Sequence, residues 1–520
     1  MKARTLMFAI SITLLAALVL PLQLAAQPVR YKLIDLGTFG GSLSILAPTS
    51  TGGPENPGRA LTNNAVIIGQ AATATADPTC AGCVTTHAYR WQNGVLMDLG
   101  TLQGVNSNIG SIAVWINDRG WIVGSSETGG IDPLFSGFPA NHAVLWRDGE
   151  ITDLGTLGED QSQAFGINNR GQVVGFSLNG IPDPVSIIGA TTQSRAFLWQ
   201  NGVMQDLGTL CEGDGVCGID AQAIVINESG QIAGFSSTNQ TPNATTGAPT
   251  IRPFLWDNGK MIDLGTLGGT LSALTGPAVV LNNRGQVGGT STLAGDMTFH
   301  PFLWEHGVMK DLGTLGGDTG FVTWITDAGD VIGTADLPGP SGSQSHHAFL
   351  WRNGVKTDLG SLGTTSHGEG GNSTGQIVGR STPIGSTVQH AFLWENGGPM
   401  VDLNSLIPAN SSLLLEEGGN INDRGEIAGR GLPAGCDNVD DCGHAFLLVP
   451  CDNAASCENK TDIATAATQN TVAFSNKGPT APTQAPQTAM HMLSAWRARL
   501  AQRYHAPVQP AAPAQLVSAQ

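Results

Sequence analysis

The chain reads as an all-β protein, a β-propeller of four-stranded antiparallel blades closed by its N-terminal strand. Three observations predict this. Three phrases recur along residues 29–449, their period fits a four-stranded unit, and the array opens with a lone strand and ends lacking one. The composition agrees: of 520 residues 70 are glycine and 12% are charged, which is too apolar for disorder and too glycine-rich for a helical chain.

The first phrase, Asp-Leu-Gly-Thr, begins at Asp35, Asp98, Asp153, Asp206, Asp263 and Asp311. It returns as Asp-Leu-Gly-Ser at Asp358 and, degenerate, as Asp-Leu-Asn-Ser at Asp402. Successive copies lie between 44 residues (Asp358 to Asp402) and 63 residues (Asp35 to Asp98) apart. The second phrase, Ile-Asn-x-x-Gly-x-x-x-Gly, is clear at Ile116, Ile167, Ile226 and Ile421, with weaker copies at Leu281, Ile325, Asn372 and around Leu61. The third, His-Ala-Phe-Leu-Trp, ends at Trp91, Trp146, Trp199, Trp256, Trp304, Trp351 and Trp394; its last copy, His444 to Leu448, lacks the tryptophan.

Each phrase is a strand with its turn attached. Asn168-Asn169-Arg170-Gly171 is a tight hairpin loop with glycine where φ must be positive, and Gln172 to Gly175 is the returning strand. Ala-Phe-Leu-Trp is a continuous apolar run, as in a strand covered on both faces. It ends in Asn-Gly or Asp-Gly (Asn201-Gly202, Asn258-Gly259, Asn353-Gly354, Asp148-Gly149), a strong hairpin signal, and a fourth strand follows into the next Asp-Leu-Gly. Tyr31 to Leu36 is a fourth strand without its first three; Ile421 to Leu448 is three strands without a fourth. Pairing them closes the ring at eight blades. Seven is the alternative, if the poorly patterned first repeat (Leu61–Trp91) fails to form.

The flanks differ in character. Residues 1–26 have the form of a signal peptide: Lys2 and Arg4, an apolar stretch from Leu6 to Leu20, and Leu24-Ala25-Ala26 for cleavage. The apolar stretch is short of the ~20 residues that span a bilayer, and no other segment is long enough. An exported protein is expected, periplasmic, cell-surface or extracellular. Residues 450–489 read as a disordered linker with a local disulfide, 490–505 as a short amphipathic helix and 506–520 as a disordered tail. A net charge of −17 with scattered lysines and arginines argues against a nucleic-acid partner.

The three phrases together resemble the bacterial "probable extracellular repeat, HAF family", named for His-Ala-Phe; the likeness spans residues 35 to about 449. The resemblance implies a secreted propeller-like repeat protein and carries no established activity. Arg195 and Arg252 depart from it by replacing the opening histidine.

Six phrase-opening histidines (His87, His142, His300, His347, His390, His444) and eight phrase aspartates invite a metal or catalytic reading. One copy per blade sets them too far apart to share a zinc ion at ~2 Å. An aspartate before a tight glycine turn has the chemistry of a turn residue. No catalytic residue, metal site or cofactor is therefore expected. The eight cysteines fall in close pairs, Cys80/Cys83, Cys211/Cys217, Cys436/Cys442 and Cys451/Cys457, and nearest-neighbour disulfides are the simplest reading.

Function is expected on one face. The Asn-x-x-Gly and Asn-Gly hairpins share one end of every blade and are short. The connections Gly124–Asn141, Gly175–Ser194, Gly234–Thr250 and Thr209–Asp220 emerge at the other end and vary. Variable loops on a rigid scaffold are where binding residues concentrate. Asp132, Phe135, Asp183, Asp214, Asp220 and Asp437 are accordingly the candidate contacts of a non-catalytic module, a monomer, for a glycan, peptide or protein ligand. A hydrolase or lyase acting on carbohydrate or peptide is the alternative.

Overall fold

The computed structural model describes residues 30–47, 58–77, 83–131, 139–186, 190, 192–212, 215, 217–243, 249–272, 279–340, 345–451 and 457. The signal segment and the region from 458 onward, with the expected helix at 490–505, lie outside the described residues.

Each sequence repeat becomes an antiparallel meander. Repeat 1 comprises Gly40–Leu46, Ile67–Ala76, Val84–Gln92 and Val95–Asp98; it forms a complete four-stranded sheet despite its weak pattern. Repeat 2 is Ser111–Ile116, Ile122–Ile131, Pro139–Arg147 and Glu150–Asp153, and repeat 3 is Ser162–Ile167, Val173–Pro182, Thr192–Gln200 and Val203–Asp206. Repeat 4 is Ala221–Ile226, Ile232–Ser237, Ile251–Asp257 and Lys260–Asp263. In repeat 5 the first strand is split into Gly268–Ser272 and Val279–Leu281, ahead of Val287–Leu293, Phe299–Glu305 and Val308–Asp311. A single parallel bridge, Ile251 to Leu271, joins repeats 4 and 5 into one nine-stranded sheet. Repeat 6 is Gly320–Ile325, Val331–Asp336, His346–Arg352 and Val355–Asp358, and repeat 7 is Gly363–Gly371, Ile377–Pro383, His390–Trp394 and Val401–Asp402.

Repeat 8 supplies Leu413–Ile421, Ile427–Pro433 and His444–Cys451, and its fourth strand is Arg30–Asp35. That strand runs antiparallel to the last one from Arg30 opposite Cys451 to Asp35 opposite Phe446. Successive repeats pack on one another, repeat 8 on repeat 1 included, so the ring is a β-propeller closed as expected.

One packing device recurs. In six repeats the first strand carries a β-bulge, for example between Ala164 and Gly166, Val322 and Trp324, and Gly368 and Gly370. The bulge presses a first-strand carbonyl toward the second strand, which answers with glycine. A Cβ on Gly175 would overlap the Gln163 carbonyl, and one on Gly234 that of Gln222. Over each glycine lies the large residue of the third phrase. Tyr89, Val144, Phe197, Phe254, Phe302, Phe349, Phe392 and Phe446 are all fully buried.

Two connections expected as loops are largely strand. Ile122–Ile131 pairs with Pro139–Arg147 as far as Ile131 opposite Pro139, and Val173–Pro182 with Thr192–Gln200 as far as Pro182 opposite Thr192. Backbone pairing and a few side-chain hydrogen bonds, such as Asn179 to Gln193 at 3.0 Å, sustain these polar extensions, with a register shift in each, so apolar alternation does not announce them.

Candidate functional site

The phrase residues tie the sheets together. Nδ1 of His142 lies 2.9 Å from the Asp153 carboxylate at the end of the neighbouring strand, and His87–Asp98, His347–Asp358, His390–Asp402 and His444–Asp35 repeat the contact at 2.7–3.0 Å. Each aspartate also accepts a turn N–H two residues on, Gly155 from Asp153 at 2.8 Å for instance. Burial opposes ionisation of Asp153, but the His142 hydrogen bond and charge, with the Gly155 N–H, hold its carboxyl below the usual range. Arg195 and Arg252 reach Asp206 and Asp263 at 3.0 and 2.7 Å, so arginine replaces histidine without loss of the tie. The histidines are thus each occupied within their own repeat.

The Asn-x-x-Gly hairpins ring the channel mouth, and their first asparagine does two jobs. Its Oδ1 accepts the N–H groups of its own turn, as Asn168 does from Arg170 and Gln172 at 3.0 and 3.1 Å. Its Nδ2 donates across to the backbone carbonyl of the equivalent residue in the next repeat. These links run Asn117 to Asn168, Asn168 to Asn227, Asn227 to Asn282 and Asn282 to Thr326, all at 3.0–3.1 Å. A second arc runs Asn372 to Asn422 and Asn422 to Thr62, at 2.9 and 3.0 Å. Threonine lacks the donor amide. Among the described residues the links therefore stop at Thr62 and Thr326, and the ring consists of two arcs meeting at two seams.

The second hairpin residue alternates around the ring between neutral and acidic: Asn63, Asp118, Asn169, Glu228, Asn283, Asp327, Ser373, Asp423. Each carboxylate is engaged. Asp327 accepts from the Asn283 N–H and Nδ2 at 2.9 Å, Asp423 from the Ser373 N–H and Asn63 Nδ2 at 3.0 and 3.1 Å, and Glu228 from the Asn169 N–H. Asp118 pairs with Arg59 and Asn169. Burial disfavours ionisation of Asp118 and Asp423, yet these partners hold both below the usual carboxylate range. The third hairpin position carries Arg119, Arg170, Arg284 and Arg424, of which Arg424 pairs with Glu426.

Below this rim lies a cavity of about 380 Å³, lined by the hairpins and by the last residues of the first strands. Two tryptophans, Trp115 and Trp324, form part of its wall; both are half-buried. Each follows the bulge in its strand, a device that re-aims a side chain. The same position, two residues before the hairpin, holds Ala60, Gly166, Val225, Val280, Gly370 and Asn420 elsewhere. Three repeats lie between repeats 2 and 6 in either direction, so the two indoles come from opposite sides of the channel.

A second departure from the repeat lies toward the other end of repeats 6 to 8. Opposed first- and second-strand residues are Gln163/Phe176 and Gln222/Phe235 in repeats 3 and 4, but His367/Arg380 and Glu417/Arg430 in repeats 7 and 8. Buried Glu417 is held 2.8 Å from Arg430 and 3.3 Å from Arg380, and Arg430 reaches Asp440. Burial works against the Glu417 charge, but Arg430 and Arg380 hold its pKa low. His367 meets His346 Nε2 to Nε2 at 2.8 Å. Burial, then Arg380 and His346, hold the His367 pKa well below the usual value, so it is neutral.

Of the residues expected to bind ligand, Asp132, Phe135 and Asp214 lie outside the described residues. Asp220 is fully buried and accepts from the Ser194 N–H and Oγ at 2.7 and 3.1 Å, while Asp183 is buried and accepts from the Val185 N–H at 2.9 Å. Asp437 is exposed, inside the loop closed by the Cys436–Cys442 disulfide. Cys211–Cys217 and Cys451–Cys457 pair as expected; Cys83 is disulfide-bonded, and Cys80 lies outside the described residues. Sequence reasoning passed over Trp115 and Trp324. Their signal was available: a tryptophan in a phrase position that elsewhere holds small or aliphatic residues, or asparagine.

No family model and no curated protein matches the chain. Among solved structures it is similar to the β-propeller domain of the Trilobed protease from Pyrococcus furiosus, at 8% identity and a TM-score of 0.41, over 65% of this chain and 93% of that one. It is similar also to the Pyrococcus horikoshii acylaminoacyl peptidase (13%, TM-score 0.36, 77% of this chain and 59% of that one) and to TolB from Acinetobacter baumannii (12%, TM-score 0.28, 64% and 80%). Among the described residues no helix is long and apolar enough to cross a membrane.

Proposed function

We propose that the chain is an exported, non-catalytic binding module, of the extracellular repeat class that its phrases resemble, and that it takes its ligand at the channel mouth among the hairpins. The observation that carries this is the Trp115/Trp324 pair in the wall of the cavity, two large aromatic side chains where the other repeats hold small or aliphatic ones, or asparagine. A specific site has to break the symmetry of a repeat, and aromatic anchors in a concave wall are the usual source of binding energy. The rim carboxylates are all held by neighbouring hairpins, which suits a rigid, preformed mouth more than proton-transfer chemistry. The local disulfides support export.

A hydrolase is the second reading, and what favours it is the cluster His367, Arg380, Glu417 and Arg430, titratable and confined to two repeats. The test is a panel of glycans and peptides, read for saturable binding by calorimetry and for product by mass spectrometry. Saturation without turnover, lost in Trp115→Ala/Trp324→Ala and kept in Asp437→Asn, is the expected result. Turnover that is abolished by Glu417→Gln would favour the hydrolase. Binding that depends on Asp437 and not on the tryptophans would return the site to the opposite face.

A further inference from the structure

Resting on the channel-mouth reading, the geometry points to a ligand class: we infer that the mouth takes the neutral, hydroxyl-rich ring of a short carbohydrate, held between Trp115 and Trp324.

Three features of the mouth select this chemistry. The first is the pair of aromatic walls. Indoles arriving from opposite sides of a channel offer apolar surface to both faces of one ring-shaped guest, and an indole pays little conformational entropy on binding because only two side-chain torsions are fixed. A pyranose is such a guest, with C–H groups on its two faces and hydroxyls around its edge.

The second feature is the hydrogen-bonding character of the rim. The asparagine amides are committed: Asn283 and Asn63 donate to Asp327 and Asp423, and Asn169 donates to Asp118 at 2.9 Å. A carboxylate has about four acceptor positions and no proton to give. The capacity left over on the acids that line the cavity is therefore acceptance, and it calls for a guest rich in donors. Hydroxyl groups radiating from a ring supply donors in every direction of a circular rim.

The third feature is charge. The cavity wall holds four hairpin acids, Asp118, Glu228, Asp327 and Asp423, and one cationic side chain, Arg59, which sits on Asp118. Each of these acids is already engaged by a hairpin amide, a backbone N–H or Arg59, so what it still lacks is hydrogen-bond donors. Neutral hydroxyls satisfy the acceptors without needing a net field.

Size narrows the class further. The cavity, about 380 Å³, stands near the lower end of the ~300–1,000 Å³ typical of small-molecule sites. It suits one or two sugar units at the end of a chain more than a long polymer laid across the mouth.

The experiment is isothermal calorimetry of the full chain against a series of neutral saccharides, from monosaccharides to tetrasaccharides of glucose, mannose, galactose and N-acetylglucosamine. Tetramethylammonium chloride and a basic hexapeptide form the cationic arm. Expected is saturable binding of at least one neutral sugar, changed less than two-fold between 50 and 500 mM salt. Trp115→Ala and Trp324→Ala should each weaken it ten-fold or more, while Trp115→Phe and Trp324→Phe recover most of the loss. Circular dichroism and the thermal midpoint of each variant separate a lost contact from a lost fold. Tryptophan-dependent binding of the cations alone would overturn the carbohydrate assignment and leave the channel-mouth reading standing. Sugar binding untouched by any of the four substitutions would overturn both. Absence of binding across the neutral series at millimolar concentration would overturn the carbohydrate assignment.

Discussion

Asn227 tests whether the hairpin ring holds the propeller together or merely decorates it. Its side chain makes five hydrogen bonds. Nδ2 donates to Gln231 Oε1 at 2.8 Å and across the repeat boundary to the Asn282 carbonyl at 3.1 Å; Oδ1 accepts from the Ser229 N–H and Oγ and from the Gln231 N–H, at 2.8–3.1 Å. The residue is buried, and so is Asn282. Asn227→Ala removes all five bonds. Three of them serve backbone groups, each worth about 1 kcal/mol net, so the variant should lose about 2–4 kcal/mol, water recovering part at exposed Ser229. Asn227→Thr copies the seam residue Thr326, whose Oγ1 accepts from the Asp330 N–H at 3.1 Å. It keeps an acceptor for the turn and gives up both Nδ2 donations, the cross-repeat link and the one to Gln231 Oε1, a cost of about 1–2 kcal/mol. Urea denaturation followed by tryptophan fluorescence gives both numbers. An alanine variant within 0.5 kcal/mol of the parent, or a threonine variant as unstable as the alanine one, would refute the reasoning.

Further outcomes follow from other contacts. Gly234→Ala places a methyl group against the Gln222 carbonyl and the Phe254 ring, and should lower stability by about 1–3 kcal/mol or more in calorimetry, although alanine is the better strand residue. Asp35→Ala removes the closing contacts to His444 and to the Gly37 N–H, so limited proteolysis near residues 36–39 should quicken with no change at the equivalent turn after Asp206. Lys356 lies against the Phe349 ring with its ammonium on the Gly313 carbonyl, and burial lowers its pKa to about 8 against the pull of Asp311. An amine whose folded pKa is depressed costs stability below pH 8 and stops costing it once the unfolded amine also loses its proton, near 10.5. Denaturation midpoints of the parent should therefore rise relative to Lys356→Met between pH 8 and 10.5, and a gap constant across that range would exclude the effect.

The fold was largely legible because the repeat encodes itself in turns. Asn201, Asn258 and Asn353 adopt φ of 54°, 49° and 51°, each followed by a positive-φ glycine, and the sequence marks them as Asn-Gly. Closure was legible from the missing strand at each end. The long second and third strands of repeats 2 and 3 were not, because Ser125 to Ile131 pairs through its backbone and carries no apolar alternation. The site was less legible than the fold. Asp220 attracted notice as an acid in a variable connection, yet its carboxylate serves the Ser194 backbone from a fully buried position. A loop acid can cap a neighbouring strand as readily as face solvent, and spacing does not separate the two. Trp115 went unremarked because a tryptophan inside an apolar strand reads as core until the bulge beside it is known.

Closure by Arg30–Asp35 sets an order of events. His444 and Asp35 are 409 residues apart, and at about 5–20 residues per second the partner of the first strand follows it out of the ribosome on the order of 20–80 s later. Until then Tyr31, Leu33 and Leu36, all buried in the finished ring, have no sheet to enter. Loop closure over so long a span is costly and comes late, after the intervening meanders have formed from local contacts. The rate at which native protein accumulates should thus be governed by the last 30 residues of the ring and not by its first seven repeats. A nascent chain arrested before Ile427 is expected to present an open arc whose unfilled edge is available to a holding factor or to another arc.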